Sequence, residues 1–441
     1  MFKTLRNAWK ISELRSKILF TLLIIALYRI GTAIPVPFIN YEALIASGTS
    51  TLFTTGVFGY LDILSGGALS SPAIFALSVT PYINAQIIMQ LLTVAIPPLE
   101  RLAKNGEEGR KKIEKITRYL TFVLAIITAI GYYAILSSLG LIVKSEVNWF
   151  FKAFVIVAVF TAGASVIMWL GERIDEQGIG NGISMILFAN IVAALPNNII
   201  QYVGSLSASK VAVWAKWVLG ILTFVIMIAS ILFVTYMTDA ERRIPVQYAK
   251  KVVGRKMYGG QSSNLPIKLN MAGVMPVIFA STMVSIVPTI LGFIEQSKGA
   301  FKKGSFGYVV KSLFGTTSAL YIILLFVLII AFAYFYISIS FNPVEVSNNL
   351  MQQGGFIPGI RPGKPTAQYI TKVLNKIILM GALFLSIVAC VPHILNAVSG
   401  GLLGLIAFSG TTLLIVVGVI LETVRELEAQ MTMRHYKGFL E

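Results

Sequence analysis

The sequence predicts an all-α polytopic membrane protein with ten transmembrane helices. Of its 441 residues, 56% are hydrophobic and only 12% are charged, and the mean hydropathy is +0.80. A soluble domain carries about 25% charged residues. Long apolar runs separated by basic loops explain these values, because a helix needs about 20 predominantly apolar residues to cross the bilayer core.

Residues 1–17 precede the first apolar run and are basic, with Phe2, Leu5, Trp9 and Leu14 among the Lys and Arg. This pattern predicts an amphipathic helix on the cytosolic leaflet. No cleavable signal peptide is expected, because the first run ends in Ile-Pro-Val-Pro rather than in small residues. The ten apolar runs lie at about 18–36, 71–96, 118–140, 150–170, 180–196, 213–237, 271–293, 317–339, 372–392 and 400–422.

The distribution of Lys and Arg predicts the orientation. The N-terminal segment and the loops after the second and sixth runs carry the main basic clusters, and ten spans put all three on one side. By the positive-inside rule this side is the cytosol, and both termini are expected there. The net charge of +17 is explained in the same way, without nucleic-acid binding. The lysines after the seventh run are an exception: Lys298, Lys302, Lys303 and Lys311.

Ionisable residues inside the runs are scarce, which argues against a charged binding site. Arg29 lies near the outer end of the first run, where a structural anchor is the favoured interpretation. One cysteine, Cys390, and two histidines, His393 and His435, leave little material for a disulfide or a metal site. Phosphate-binding glycine loops, HExxH and serine elbows are missing from the sequence. We therefore expect no catalytic residues, no metal and no cofactor.

Two other functional classes would require residues of a different kind within the runs. A secondary transporter for a small solute would need ionisable or unwound coordinating groups at the membrane midplane, and it is the alternative interpretation. An intramembrane protease would need a nucleophile with a base, or paired carboxylates, within the spans. Neither pattern is visible in the runs.

Residues 59–72 interrupt the start of the second run. Asp62 makes a lipid-facing helix unfavourable here, and Gly66-Gly67 with Ser70-Ser71-Pro72 predicts a helix-breaking joint. Backbone that does not span the membrane is tolerated at membrane depth only where protein or water surrounds it. We interpret the segment as a short broken helix inside a cavity.

Two long loops lie on the expected cytosolic side, at about 239–270 and 341–371. The first is strongly basic, and the second contains Ile357–Thr366, whose prolines and glycines oppose a regular helix or strand. Such loops are either solvated connections or a docking surface for an acidic or phosphate-rich partner, and both interpretations stay open at this point.

Five long motifs in order resemble the SecY family, the channel subunits of the bacterial protein translocase. The resemblance covers essentially the whole chain. The motifs are FALSVTPYINAQIIMQLLT, GERIDEQGIGNGISMILFANIVAALP, LPIKLNMAGVMPVIFAS, FNPVEVSNNLMQQGGFIPGIRPGKPTAQYI and SGTTLLIVVGVILET.

The resemblance implies two pseudo-symmetric five-helix halves around a central pore, with a plug helix and a lateral gate. Residues 18–196 would form the N-terminal half, residues 197–422 the C-terminal half, and residues 423–441 a cytosolic tail. The implied function is a protein-conducting channel. It would pass unfolded secretory polypeptides across the plasma membrane and release signal or transmembrane segments sideways into lipid, and it would not be an enzyme.

The resemblance also implies four groups of site residues. The pore ring would be Ile83, Ile87, Ile183, Leu187, Ile278 and Ile415, where Leu187 replaces a more usual isoleucine. The plug would be Tyr60, Leu61, Asp62, Ile63, Leu64, Ser65, Gly66, Gly67, Ala68 and Leu69. Gln90, Thr93 and Asn270 would lie at the lateral gate, and Arg243, Arg255, Lys256 and Arg361 would dock SecA or the ribosome. Within the ring, the spacing of 83/87 and 183/187 puts each pair on one helix face.

The implied partners follow from the same resemblance. SecE and SecG would bind in the membrane, and the SecA ATPase and the ribosome, with a contact to ribosomal RNA, would bind on the cytosolic side. The substrate would be an unfolded preprotein with its signal peptide, and the location a bacterial plasma (inner) membrane, with the chain crossing the lipid bilayer many times.

Overall fold

The computed structural model describes residues 2–40, 65, 67–143, 147–208, 213–248, 251–253, 256–258, 262–298, 305–315, 318–398 and 404–437. These residues form helices and a few short strands. The helices are α1 (Phe2–Lys10), α2 (Ser12–Ala33), α3 (Thr80–Ala95), α4 (Pro97–Lys104), α5 (Gly106–Ser138), α6 (Trp149–Gln177), α7 (Gly182–Ala208), α8 (Val213–Asp239), α9 (Met275–Lys298), α10 (Phe306–Leu313), α11 (Ala319–Ser340), α12 (Pro343–Gln352), α13 (Lys364–Val398) and α14 (Gly404–Lys437). The strands are β1 (Glu241–Tyr248), β2 (Lys251–Val253), β3 (Lys256–Tyr258), β4 (Ser262–Lys268) and β5 (Gly355–Phe356).

Each of the ten predicted apolar runs overlaps one of these helices, and most of the helices extend beyond the predicted bounds of the run. Within the described residues, seven helices are long and apolar enough to cross a membrane, and α3 with α4 forms a further, bent pair. The all-α polytopic fold predicted from the sequence is therefore confirmed.

The second run differs from its predicted bounds. Residues 71–79 form turns rather than helix, and α3 begins only at Thr80. Ser78 adopts a left-handed backbone conformation (φ 52°), which ends any helix that approaches from its N-terminal side. At the other end, Pro97 follows α3 and the chain bends by 106° into α4.

Helix α8 has the most exposed surface among the candidate spans. Only 11% of its most apolar window is buried within the protein. Trp214 and Trp217, near its start, are 73% and 72% exposed, and Ile221 is 63% exposed. A helix that is apolar on all sides and unburied by protein is stable only when lipid covers it.

The chain divides into two compact units. The first comprises Met1–Lys210, Ser285–Ser318 and Val419–Glu441, and the second comprises Val211–Val284 and Ala319–Gly418. In the first unit α5 packs along α6, with the ring of Tyr132 edge-on to Phe160 at 5.1 Å between centroids. Both side chains belong to an apolar core that also contains Ala125 and Ala129, whose small size lets the helices approach closely.

In the second unit α11 packs along α13, and a small sheet covers one end of this pair. Strand β1 pairs antiparallel with β4 on one side and with β5 on the other. Ile244 and Val246 alternate inward from β1 and pack with Ile370 and Leu374 of α13. These strands were not expected from the sequence. Within the described residues, β1 and β4 at the two ends of the 239–270 loop pack on the helices through Ile244, Val246 and Ile267.

Candidate functional site

Four of the six predicted ring residues lie in the first unit, on two helices. Ile83 and Ile87 are on α3, where Ile83 is 7% exposed and Ile87 is half-buried. Ile183 and Leu187 are on α7 and are 8% and 3% exposed. Each pair occupies successive turns of one helix, as the spacing predicts.

Ile183 is fixed by a close packing contact. A Cβ built at Gly171 on α6 would lie 2.6 Å from its Cδ1 atom, so the glycine leaves room for this side chain. The start of α7 is also held, because Asn181 accepts a 3.0 Å hydrogen bond from the amide of Ser184 through its side chain.

The other two ring residues lie in the second unit. Ile278 on α9 is 6% exposed, and Ile415 on α14 is 1% exposed. All six side chains are apolar and branched, and none offers a hydrogen bond. They are suited to excluding water and ions from a narrow passage, and they are unsuited to specific recognition of a polar ligand.

The predicted plug, Tyr60–Leu69, is only partly described; Tyr60–Leu64 and Gly66 lie outside the described residues. Its C-terminal end is anchored in the first unit. The Tyr132 hydroxyl donates a hydrogen bond to the carbonyl of Leu69, and the amide of Leu69 donates to Ser65 Oγ at 3.1 Å. Gly67 adopts φ 84°, a conformation that glycine enters without strain.

The connection from the predicted plug to α3 is mostly buried and is hydrogen-bonded to neighbouring segments. The amide of Ile74 donates to the carbonyl of Ile34 at 3.0 Å, and the amide of Val36 donates to the carbonyl of Pro72 at 3.2 Å. A Cβ at Gly163 on α6 would lie 2.1 Å from the carbonyl oxygen of Ile74. These contacts fix the chain directly before the helix that carries Ile83 and Ile87.

Three buried polar side chains, none of them expected from the sequence, complete this attachment. The side-chain amide of Asn190 on α7 donates to the hydroxyl of Tyr28 at 2.8 Å and to Ser78 Oγ at 3.2 Å. Tyr28 also stacks on Phe75, with 5.5 Å between ring centroids. The only sequence signal was the polar Asn190 inside an apolar run.

A second segment that is hydrogen-bonded to several helices lies before α7, in the GERIDEQGIGNG motif. The amide of Ile179 donates to Thr21 Oγ1 at 3.1 Å, and the amide of Gly180 donates to Glu426 Oε2 at 3.0 Å. The amide of Gly182 donates to Asp175 Oδ1 at 2.7 Å. The motif therefore connects α2, α6 and the end of α14 at the start of the helix that carries Ile183.

The predicted gate residues are polar groups within largely apolar surroundings. Thr93 Oγ1 donates to the carbonyl of Gln90 at 2.7 Å, so this hydroxyl is satisfied within α3. Gln90 Oε1 and Asn270 Oδ1 are buried and have no hydrogen-bond partner within the described part of the chain. Gln90 and Thr93 belong to the first unit, and Asn270 belongs to the second.

Three of the four predicted docking residues lie within the described residues of the second unit: Arg243, Lys256 and Arg361. Arg243 on β1 is exposed and pairs with Glu241 at 2.7 Å. Lys256 begins β3, and Arg255 lies outside the described residues. Arg361 is exposed on the turn between β5 and α13. Because β5 pairs with β1, the structure joins the two long loops into one surface.

Comparisons with known proteins agree with this architecture. The SecY family profile matches residues 73–424. A protein translocase subunit SecY from Streptomyces scabiei is 43% identical over 449 residues, with 100% of both chains covered. One from Thermotoga maritima is 40% identical over 451 residues, covering 100% of this chain and 98% of the relative.

Solved structures give the same fold. A structure described as a protein conducting channel has a TM-score of 0.64 at 17% identity, covering 95% of this chain and 92% of that one. Sec61 in the canine ribosome-channel complex from the endoplasmic reticulum has a TM-score of 0.60 at 16% identity, with the same coverage. With the family profile and the full-length relatives, these matches establish that the chain belongs to the SecY family.

Proposed function

We propose that this chain is the channel subunit of a protein translocase in a bacterial plasma membrane. The observation that carries the proposal is its full-length similarity, at 40–43% identity, to curated protein translocase subunits. An unfolded polypeptide cannot cross lipid directly, because each unsatisfied backbone group there costs several kcal/mol. The channel supplies a hydrated path for such a chain, and energy for transport comes from a partner or the membrane potential rather than from catalysis by this chain.

The pore ring is formed by Ile83, Ile87, Ile183, Leu187, Ile278 and Ile415. Support comes from the burial of five of these six branched apolar side chains, Ile87 being half-buried, and from the two i,i+4 pairs, each on one helix. A collar of this kind resists wetting by hydrated ions and has no groups that would bind one substrate sequence tightly. It can therefore fit around many different polypeptides while blocking small ions.

The plug, Tyr60–Leu69, seals this passage at rest, and its anchored end at Leu69 leaves Gly67 as the pivot. Signal and transmembrane segments leave sideways, past Gln90, Thr93 and Asn270, because transfer of an apolar segment into lipid is favourable. The buried oxygens of Gln90 and Asn270 have no hydrogen-bond partner within the described residues, so they are acceptors available for polar contacts at the gate. Interhelical hydrogen bonds in membranes are worth about 0.6–2 kcal/mol, weak enough for such opening.

The surface formed by β1, β4, β5 and the Arg361 turn faces the cytosol, as do both termini, and docks SecA or the ribosome. Arg361 is the main contact for SecA, and Arg243, Arg255 and Lys256 contribute to SecA or ribosome binding, including ribosomal RNA. The planar guanidinium pairs with carboxylates or phosphates in a bidentate geometry that lysine cannot match. Support comes from the ribosome-bound relatives of the same fold and from the ordered base of this surface. SecE and SecG bind the chain within the membrane.

Reconstitution tests the proposal. The purified chain with SecE and SecG is placed in vesicles with SecA, ATP and an unfolded preprotein that carries a signal peptide. We expect the preprotein to become protected from external protease, in an ATP-dependent manner. Uptake of a small solute by the same vesicles, with no protected preprotein, would instead favour the secondary transporter.

A further inference from the structure

The backbone on the N-terminal side of Arg361 is held by the sheet and the core of the second unit. Phe356 of β5 pairs with Gln247 of β1, and Ile357 is 3% exposed in the apolar core below the sheet. The amide of Ile360 then donates to the carbonyl of Ile357 at 3.0 Å, which closes a turn directly before Arg361.

The backbone on the C-terminal side is held by two buried hydroxyl groups. Thr366 Oγ1 donates to the carbonyl of Arg361 itself at 2.8 Å, and Thr366 is 2% exposed. Ser347 Oγ, on α12, donates to the carbonyl of Gly363 at 2.8 Å, and Ser347 is 1% exposed. Gly363 precedes α13 with φ 93°, a conformation that suits glycine.

These bonds orient the arginine. The carbonyl of Arg361 is directed to the buried Thr366, while its side chain is exposed to solvent. Within the described residues the guanidinium forms neither an ion pair nor a hydrogen bond, so its planar fork is available for an incoming anion. Pro362 next to it restricts the backbone further.

Such rigidity matters for affinity. A residue on a mobile loop loses backbone freedom when a partner binds, and this loss weakens the complex. A turn that is already ordered avoids this loss of backbone freedom on binding.

We propose that Thr366, assisted by Ser347, is a positioning residue that holds Arg361 in the geometry required to bind carboxylates or phosphates of the cytosolic motor. This inference rests on the proposed docking role of Arg361. Thr366 acts through the backbone of the arginine and does not itself contact the partner.

The test compares Thr366→Val, which keeps the side-chain shape without the hydroxyl, with Thr366→Ser, which keeps the hydroxyl. Thr371→Val is the matched control, because its hydroxyl donates at 2.9 Å to Ala367 within the same helix. SecA is titrated against each variant complex in vesicles, and the SecA concentration for half-maximal transport and the maximal rate are measured. We expect Thr366→Val to raise that concentration about fivefold with little change in the maximal rate, equivalent to ~1 kcal/mol at 1.4 kcal/mol per tenfold change. Thr366→Ser and Thr371→Val should resemble the unmodified chain.

A double-variant measurement separates positioning from general structural damage. In the Arg361→Ala background, Thr366→Val should add no further increase in the half-maximal SecA concentration, because the group that it positions is gone. A half-maximal SecA concentration that is clearly higher in the double variant than in Arg361→Ala alone would overturn the inference. If Thr366→Val fails to assemble, Ser347→Ala is measured in the same way, and an unchanged SecA concentration for that variant would overturn it as well.

The same data distinguish this inference from the docking role on which it rests. A normal dependence of transport on SecA concentration in Arg361→Ala would contradict the proposed docking role of Arg361. A defect in Arg361→Ala with normal behaviour of Thr366→Val would overturn only the positioning inference and leave the docking role in place.

Discussion

The side-chain amide of Asn190 donates a 2.8 Å hydrogen bond to the hydroxyl of Tyr28, joining α7 to α2. The same amide reaches Ser78 at 3.2 Å, directly before α3. Asn190 and Tyr28 are fully buried, and Ser78 is 2% exposed. The two helices that carry Ile83 and Ile183 are therefore attached to each other and to the first span through one buried polar contact.

Asn190→Leu should destabilise the protein, because it removes two hydrogen bonds and leaves buried hydroxyl groups without this donor. A buried group that loses its partner costs about 1–3 kcal/mol. The measurement is the thermal unfolding midpoint of the purified complex, with Tyr28→Phe as the comparison. Tyr28→Phe should have a smaller effect alone and almost none in the Asn190→Leu background. An unchanged midpoint for Asn190→Leu would show that the contact contributes nothing.

Gly163→Ala should prevent normal packing of α6 against the segment that precedes α3. The added Cβ would lie 2.1 Å from the Ile74 carbonyl oxygen, which is backbone and cannot rotate away. Overpacking of this kind costs about 1–3 kcal/mol or more. Gly204→Ala on α7 is the matched control, because a Cβ there has no atom within 4 Å.

The yield and unfolding midpoint of the two glycine variants provide the measurement. We expect a marked loss for Gly163→Ala and a neutral effect or a slight gain for Gly204→Ala, since alanine favours helix by up to about 1 kcal/mol. Equal behaviour of the two variants would contradict the packing described for Ile74.

Deletion of Tyr60–Leu69 should leave a channel that leaks ions yet still transports preprotein. The deletion removes the proposed plug, including the Leu69 carbonyl that accepts a hydrogen bond from Tyr132. It leaves α3 and the proposed ring residues in place. Ion conductance across a planar bilayer is compared with preprotein transport by the same complex. Conductance that stays at the level of the intact chain would count against a sealing role.

Arg361→Glu should block SecA-driven export while complex assembly and membrane insertion of proteins continue. The substitution replaces a cation with an anion at an exposed position whose backbone is fixed, so the fold is unaffected while the proposed contact becomes repulsive. Arg361→Lys should be only partly active, because lysine lacks the planar fork.

Lys372→Glu, at an exposed position on α13, is the control for a change of net charge alone. It should export normally. Full SecA-dependent transport by Arg361→Glu, or an equal defect in Lys372→Glu, would contradict a docking role of Arg361.

The sequence predicted the helices well, because apolar runs of about 20 residues carry a strong and local signal. The two predicted ring pairs were also visible as i,i+4 positions, and the burial of Ile83, Ile183 and Leu187 agrees with packed apolar helix faces. The bend at Pro97 was less evident, since proline marks a break but not the 106° angle that follows.

Contacts between distant parts of the chain were not predictable. Asn190 was recognisable as a polar residue in an apolar run, but its partner Tyr28 lies 162 positions away. The alternating Ile244 and Val246 fit a strand, yet pairing with β5 depends on residues that lie more than a hundred positions later. The sequence did not predict the left-handed backbone conformation of Ser78, because a non-glycine residue keeps this conformation when the surrounding structure imposes it.

Site-specific crosslinking tests the channel proposal most directly. A photoreactive residue replaces Ile83, Ile183, Ile278 or Ile415 in turn, and a secretory chain is stalled during transport. Val225 on α8, which is 54% exposed on a lipid-facing helix, is the control position. We expect the stalled chain to crosslink at all four ring positions and not at Val225. The absence of crosslinks at every ring position, with the chain demonstrably stalled in the membrane, would contradict a polypeptide path through the ring.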